Sequence, residues 1–275
     1  MGNLISNELK EKGYAVTGIN RKLLYGPIED LKNEIRNTHV VINLAGVSIL
    51  KRWTKQNKVL IYDSRIKTTS NLVTAINELN ENERPKKMVS ASAVGIYKAG
   101  QLHSEESKDF DETFVGKLVA DWEASLDHLV PGVQKNIFRI GLVLGRKAKT
   151  ITNLLLPFKL GIGGTIGDGK HPFPFIHEKD LVKAFVWAVE DAEESGTFNL
   201  VAPEQITNAD FTKAFAKKLR RPAFIPVPAF VLKIIFGEAA VLLLESPAVE
   251  PKALKKKGFS FIFPTIETAL EDILD

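Results

Sequence analysis

The chain has 275 residues, 44% hydrophobic and 25% charged, with 37 Lys and Arg against 33 Asp and Glu. That composition belongs to a folded globular protein with a large core, and a net charge of +4 is too small to point to nucleic acid. The absence of cysteine excludes disulfides and thiol nucleophiles and fits a cytoplasmic protein. No apolar run approaches the roughly 20 residues that span a bilayer, so neither a membrane nor nucleic acid is expected as a partner.

In chain order, Met1-Gly2 leads straight into a helical pattern with Leu4, Ile5 and Leu9 on one face, stopped at Lys12-Gly13. Ala15 to Ile19 predicts a short strand, followed by Asn20-Arg21-Lys22, and Ile28, Leu31 and Ile35 predict a short helix. Val40-Val41-Ile42-Asn43-Leu44-Ala45-Gly46 reads as a strand covered on both faces that ends in a small turn. A long helix is expected from about Lys55 to Asn80, then a strand ending in the small-residue loop Val89 to Tyr97. Phe114 to Leu129 predicts a helix and Asn136 to Ile140 a strand that runs on through Gly141 to Gly145. Alternation of this kind predicts an α/β fold with a doubly wound parallel sheet.

The second half begins with a glycine-rich stretch, Gly161 to Gly169, which lacks the Gly-Lys-Ser/Thr ending of a phosphate-binding loop and reads as a wrap beside a pocket. Phe173 to His177 is an edge segment because Pro174 cannot donate to a central ladder. A helix over Asp180 to Ala192, a strand over Phe198 to Val201 and a helix capped by Thr207 or Asn208 follow. Phe224 to Val227 and Gly258 to Phe263 are expected as strands, with helices from about Ala229 to Leu244 and from Ile266. The clusters Lys217-Lys218-Leu219-Arg220-Arg221 and Lys255-Lys256-Lys257 read as solvated helix ends. No second ligand repeats at metal spacing around His171, so no metal site is expected.

Several motifs then coincide. They are Asn43-Leu44-Ala45-Gly46, Lys51-Arg52-Trp53, Ser64-Arg65, Ser90 to Tyr97, Trp122-Glu123 and Arg139 to Gly145. Pro157-Phe158 with Gly161 to Gly169, Ile176-His177 with Asp180-Leu181, Ala202-Pro203 with Thr207-Asn208, Arg221-Pro222 and Pro251-Lys252 continue them in register. Over essentially its whole length the chain resembles the extended short-chain dehydrogenase/reductase superfamily, specifically its atypical, sugar-nucleotide epimerase-like group. The resemblance implies a Rossmann-type part over residues 1–150 that binds NADP(H). A smaller substrate-pocket part over 151–275 would include the group's terminal segment, 224–275, with the chain crossing between the two. It also implies that Leu44, Ala45 and Gly46 lie along the cofactor, that Arg65 reaches it and that Val143 lines its nicotinamide side.

Residue chemistry adds to this at one place. NAD-selective folds put a carboxylate after the second strand to hold the ribose 2′-hydroxyl, whereas here Asn20 and Arg21 stand with Lys22, and an arginine suits a 2′-phosphate. A solvent-exposed loop is the alternative reading.

Two departures from the superfamily are plain. No Tyr-x-x-x-Lys exists, since Tyr14, Tyr25, Tyr62 and Tyr97 are followed four residues on by Gly18, Glu29, Ile66 and Gln101. Ser92 is the serine that remains as a candidate catalytic group, though a loop serine without chemistry fits equally well. His177 is a candidate acid or base, with a structural histidine as its alternative. The second departure is at the start, where Gly2 alone matches the glycine cradle for a pyrophosphate and the first strand has no counterpart, as in a truncated chain. Such a sheet is expected either to close its gap by rearrangement or to be marginally stable. Function is then expected to be reduction, oxidation or epimerisation of a small polar, sugar-nucleotide-like molecule, or cofactor binding without turnover, as a sensor or scaffold.

Overall fold

The computed structural model describes residues 1–191 and 195–275. Its elements run α1 (Gly2–Glu11), α2 (Arg21–Leu24), α3 (Ile28–Ile35), β1 (Val40–Asn43), α4 (Lys55–Asp63), α5 (Ile66–Asn77), β2 (Lys87–Ala93), β3 (Leu102–His103), α6 (Phe114–Ala124), β4 (Gln134–Ile140) and β5 (Leu142–Leu144). They continue through α7 (Lys149–Lys159), β6 (Phe175–His177), α8 (Glu178–Glu190), β7 (Gly196–Leu200), α9 (Asn208–Leu219), α10 (Ala229–Phe236), α11 (Val241–Leu244), β8 (Ala248–Val249), α12 (Lys252–Lys256) and α13 (Ile266–Leu274). The main sheet has four parallel strands in the order β1-β2-β4-β7, and two short parallel pairs, β3–β8 and β5–β6, stand beside it.

Helices cover both faces of this sheet, which is the doubly wound arrangement. Side chains alternate along a strand, so Met88 and Val89, and likewise Ile137 and Phe138, serve opposite faces. Val89, Ala91, Phe138 and Ile140 pack with Ile5 and Leu9 of α1 and with Phe185 of α8. Val41, Met88 and Ile137 pack with Leu31 and Ile35 of α3 and with Leu72 and Ile76 of α5. A separate core joins α7, α9 and α13 through Ile151, Phe158, Phe211, Phe215 and Leu270. Helix α8 and strand β7 lie beyond residue 150 and carry the chain between the sheet layer and that second core.

Three expected strands are absent from any ladder. Ala15 to Ile19 is irregular and leaves β1 as the edge of the sheet, although Val16 and Ile19 still pack against the two face cores. Phe224 to Val227 is a strap held by one bridge, Val227 to Ile166, since Pro226 and Pro228 remove the donors a ladder needs. Gly258 to Phe263 is irregular because the buried carboxylate of Asp180 takes the amides of Ile262 (2.7 Å) and Phe263 (2.9 Å). The single long helix expected from Lys55 is two, broken at Ser64-Arg65, and the expected helix to Ala192 is described as far as Glu190, with Ala192 outside the described residues. Among the described residues, no helix is long and apolar enough to cross a membrane.

His177 shows how the second part is pinned. It ends β6 and caps α8: Nδ1 accepts from the amide of Lys179 at 3.1 Å, which places the ring proton on Nε2. The ring is fully buried against Phe263, with centroids 3.9 Å apart, and Nε2 faces Asp272 Oδ2 at 3.4 Å. Burial lowers its pKa to about 4, with the carboxylate of Asp272 opposing the shift. Below the unfolded value of about 6.5 the unfolded chain takes up a proton that the folded chain refuses until about pH 4. Acid therefore favours unfolding in that window, and the full shift removes about 3 kcal/mol of stability. Denaturant titrations from pH 7 to pH 4 should show this loss in the wild type and a flatter profile in His177→Asn, which keeps a capping side chain but cannot titrate. Parallel profiles would mean that His177 does not control the window.

Candidate functional site

The strand alternation that builds the two cores also builds the site. On the face that carries Val41, Met88 and Ile137, the next positions toward the carboxyl ends are Asn43, Ser90, Ser92, Arg139 and Asn199. Register aligns them: Asn43 pairs with Ser90, and Ser92 pairs with Arg139, which pairs with Asn199. This face is thus apolar at one end of the strands and polar at the other, while the opposite face is apolar toward the carboxyl ends and carries its buried polar groups, Lys87 and Asn136, nearer the amino ends. All five polar residues are buried, so each must find partners within the protein.

They do so in two groups. In the first, Asn43 Nδ2 donates to Thr69 Oγ1 (2.9 Å) and Ser90 Oγ (3.2 Å), while its Oδ1 accepts from the amide of Ala45 (3.1 Å). The asparagine therefore shapes the turn that follows its own strand. Thr69 also accepts from Trp122 Nε1 (3.0 Å), and the guanidinium of Arg65 lies over that indole, 5.4 Å from its centroid. Arg65 donates to the carbonyls of Ile61 and Val47, both at 3.1 Å, and lies against Gly46, where any Cβ would stand 3.2 Å from its Cζ. Burial lowers its pKa to about 10, so it stays charged at neutral pH. Among the described residues it has no carboxylate partner.

In the second group the same chemistry is neutralised. Arg139 is clamped by Glu123, Nε to Oε1 at 2.8 Å and Nη2 to Oε2 at 2.7 Å. Its Nη1 donates to the Tyr97 hydroxyl (2.7 Å), which donates in turn to Asn199 Oδ1 (2.8 Å). Ser92 Oγ donates to Glu123 Oε1 at 2.5 Å. Burial pushes the Tyr97 phenol above its ordinary pKa, and Arg139 only partly offsets this, so Tyr97 is no activated phenolate. Its ring is buried and stacked on His103, with centroids 4.8 Å apart.

The residues expected from the sequence fall into three places. Gly2, Leu44, Ala45, Gly46 and Arg65 gather at the end of β1: a Cβ on Gly2 would stand 3.8 Å from Leu44 Cδ1, and no side chain caps the first turn of α1. Asn20 and Arg21 stand at the start of α2, beside α5. Asn20 caps α2 through its side chain, and Arg21 lies 5.5 Å from the Tyr25 ring centroid. Lys67, the second cation over that ring at 5.9 Å, was not expected, and neither cation forms an ion pair among the described residues. Val143 and His177 share the β5–β6 pair, with Val143 opposite Ile176 and His177 opposite Leu144. Ser92 holds the position expected of it, at the carboxyl end of β2, but its proton is committed to Glu123.

Sequence reasoning assigned no role to Thr69, Glu123, Arg139 or Asn199. The spacing of a parallel sheet hides them, because they meet only through register and through α6. No cluster of three or more His, Asp or Glu that could hold a metal occurs among the described residues.

Comparison with known proteins shows what the chain is similar to. The NAD dependent epimerase/dehydratase family matches residues 1–201, and a domain of unknown function (DUF1731) matches residues 227–273. The epimerase family protein SDR39U1 of Mus musculus is 35% identical over 100% of this chain and 96% of its own length. The epimerase family protein YfhF of Bacillus subtilis is 35% identical over 88% of this chain and 80% of its own. A crystal structure of the human epimerase family protein SDR39U1 (isoform 2) with NADPH superposes with a TM-score of 0.92 at 34% identity, covering 99% of this chain and 95% of that one. With a family match over most of its length and relatives of this identity along it, the chain belongs to the NAD dependent epimerase/dehydratase family.

Proposed function

We propose that this protein binds NADP(H) along the Leu44-Ala45-Gly46 turn and uses it to reduce, oxidise or epimerise a small polar substrate. The observation that carries this reading is Arg65, a half-buried cation without a carboxylate partner among the described residues, pressed against a glycine at the carboxyl end of a parallel strand. Such a charge is expected to face an anion, because an unpaired ion away from water is costly. The uncapped first turn of α1, beside Leu44, offers amide donors to the same anion. Arg21 and Lys67, 5.5 and 5.9 Å from the Tyr25 ring centroid, suit a further phosphate such as the one that distinguishes NADP from NAD. The related human protein carries NADPH in its crystal structure, which supports the same choice.

The bound nicotinamide would supply the hydride chemistry. The protein's part is to orient and to move a proton. With its own hydrogen pointing at Glu123, Ser92 is set to accept a hydrogen bond from a substrate hydroxyl rather than to donate one. As that hydroxyl loses its proton, Ser92 can take it and pass its own to Glu123, which Arg139 holds in place. This relay replaces the absent Tyr-x-x-x-Lys pair with a serine backed by a carboxylate. A second reading, cofactor binding without turnover, draws on the same commitment of Ser92 and on the burial of Tyr97.

Two measurements test this reading, and the second separates it from binding without turnover. In calorimetric titrations, Arg65→Gln should weaken NADPH and NADH alike by about 1.5–3 kcal/mol, whereas Arg21→Ala should weaken NADPH by a similar amount and leave NADH nearly unchanged. Equal losses for the two cofactors in Arg21→Ala would remove it from the 2′-phosphate. A screen of NADPH oxidation against aldehydes, ketones and sugar nucleotides should find a substrate on which Ser92→Ala loses 10²- to 10⁴-fold in kcat with unchanged NADPH affinity, the usual range for a positioned proton-transfer group. If no compound in the screen turns over, the sensor reading stands instead.

A further inference from the structure

One face of the second part is both apolar and cationic. Leu156 and Leu160, four residues apart at the end of α7, are 65% and 64% exposed, and Phe224 in the strap before α10 is 87% exposed, with Ile162 and Ile225 more than half exposed as well. The two segments lie side by side. Val227 N donates to Thr165 O (2.8 Å) and Gly167 N to Val227 O (3.0 Å), and a Cβ on Gly164 would stand 1.9 Å from Ile225 O.

The two segments that carry this face are also rich in cations. Residues 146–167 and 213–237 together hold ten of the chain's 37 Lys and Arg and none of its 33 Asp and Glu, and the remaining 27 cations face those 33 acids, a net −6. Asp275, reaching in from the end of α13, balances Lys218 at 2.7 Å. Lys159, Lys217, Arg220 and Arg221 form no ion pair among the described residues.

We propose that this face docks on an anionic lipid surface, with Leu156, Leu160, Ile162, Phe224 and Ile225 entering the headgroup region and Lys159, Lys217, Arg220 and Arg221 meeting the lipid phosphates. Charge argues against a second copy of this chain, since a two-fold interface would set the same cations against each other. The shape of the apolar part favours lipid over a folded acidic partner. Its side chains protrude singly from a helix end and from a strap stiffened by Pro222, Pro226 and Pro228, and fluid acyl chains accommodate such projections without a matching groove. The expectation from sequence that no membrane takes part rested on the length of apolar runs, which bears on spanning a bilayer and not on lying against one.

Co-sedimentation tests it, with vesicles of phosphatidylcholine alone and of phosphatidylcholine with phosphatidylglycerol. The protein should sediment with the anionic vesicles and not with the neutral ones, and added salt should release it. Arg220→Gln and Arg221→Gln should each lower the partition coefficient about fivefold. The double variant Phe224→Ser with Ile225→Ser should abolish binding while its NADPH titration, which reads the fold at a separate site, stays unchanged. Absence of binding to anionic vesicles, or equal binding to both kinds, would overturn the proposal. So would light scattering that shows a dimer dissociated by the Phe224 and Ile225 changes, which would make the face an interface between copies. Retention on heparin with full affinity in that double variant, together with failure to sediment, would make it a polyanion site.

Discussion

The arrangement at the carboxyl ends of the strands depends on one ion pair, Arg139 with Glu123. Its two bonds join the middle of the sheet to α6, and three other buried groups are placed through it: Ser92 through Glu123, Tyr97 through Arg139, and Asn199 through Tyr97. A charge inside a protein is tolerable only when its lone pairs and protons are met, and here every one of these groups is. Taking away either partner would leave an uncompensated ion, a loss of about 3–5 kcal/mol in comparable settings and a large share of a domain's net stability. The pair is therefore a structural requirement first. Whatever Ser92 does chemically, it does on a frame that cannot shift without unfolding its surroundings.

Arg65 is the counterpart that is left open. Both guanidiniums lie at the same end of the sheet, and α6 touches both, Trp122 beneath one and Glu123 on the other. Adjacent residues on one helix thus hold one cation by an aromatic face and the other by a carboxylate. The first contact leaves the positive charge available, because an indole ring does not neutralise it, and the second cancels it. The difference explains how two arginines so alike in surroundings differ in charge, one left uncompensated beside a glycine turn and one neutralised within the core.

Much of the fold was legible in the sequence, for physical reasons that also mark where legibility stopped. Val40 to Asn43 and Asn136 to Ile140 read as strands because parallel strands covered on both faces are continuous apolar runs. The same cue misled at Ala15 to Ile19 and at Phe224 to Val227, where apolar side chains pack a strap or reach solvent and no ladder exists. Helix α7 was missed because Pro157 and the glycines beyond it look like loop, yet the proline sits near the end of the helix. At the site, the glycines and Arg65 were readable as motifs. Ser92 was a candidate and Arg139 lay in a motif, but their alignment in one row with Asn199 was not readable, since register between strands far apart in the chain leaves no local pattern.

That row has a consequence for how the sheet assembles. In a parallel sheet, sliding one strand by a single residue turns every side chain to the other face. For β4 such a slip would carry Arg139 into the place of Phe138, among Phe185 and Phe198, and set Phe138 against Glu123 and Ser92. An apolar strand alone would pair almost as well one step out of place. The arginine makes the wrong alignment costly, so the polar row fixes the register of β4 where apolar packing alone would leave it loosely set.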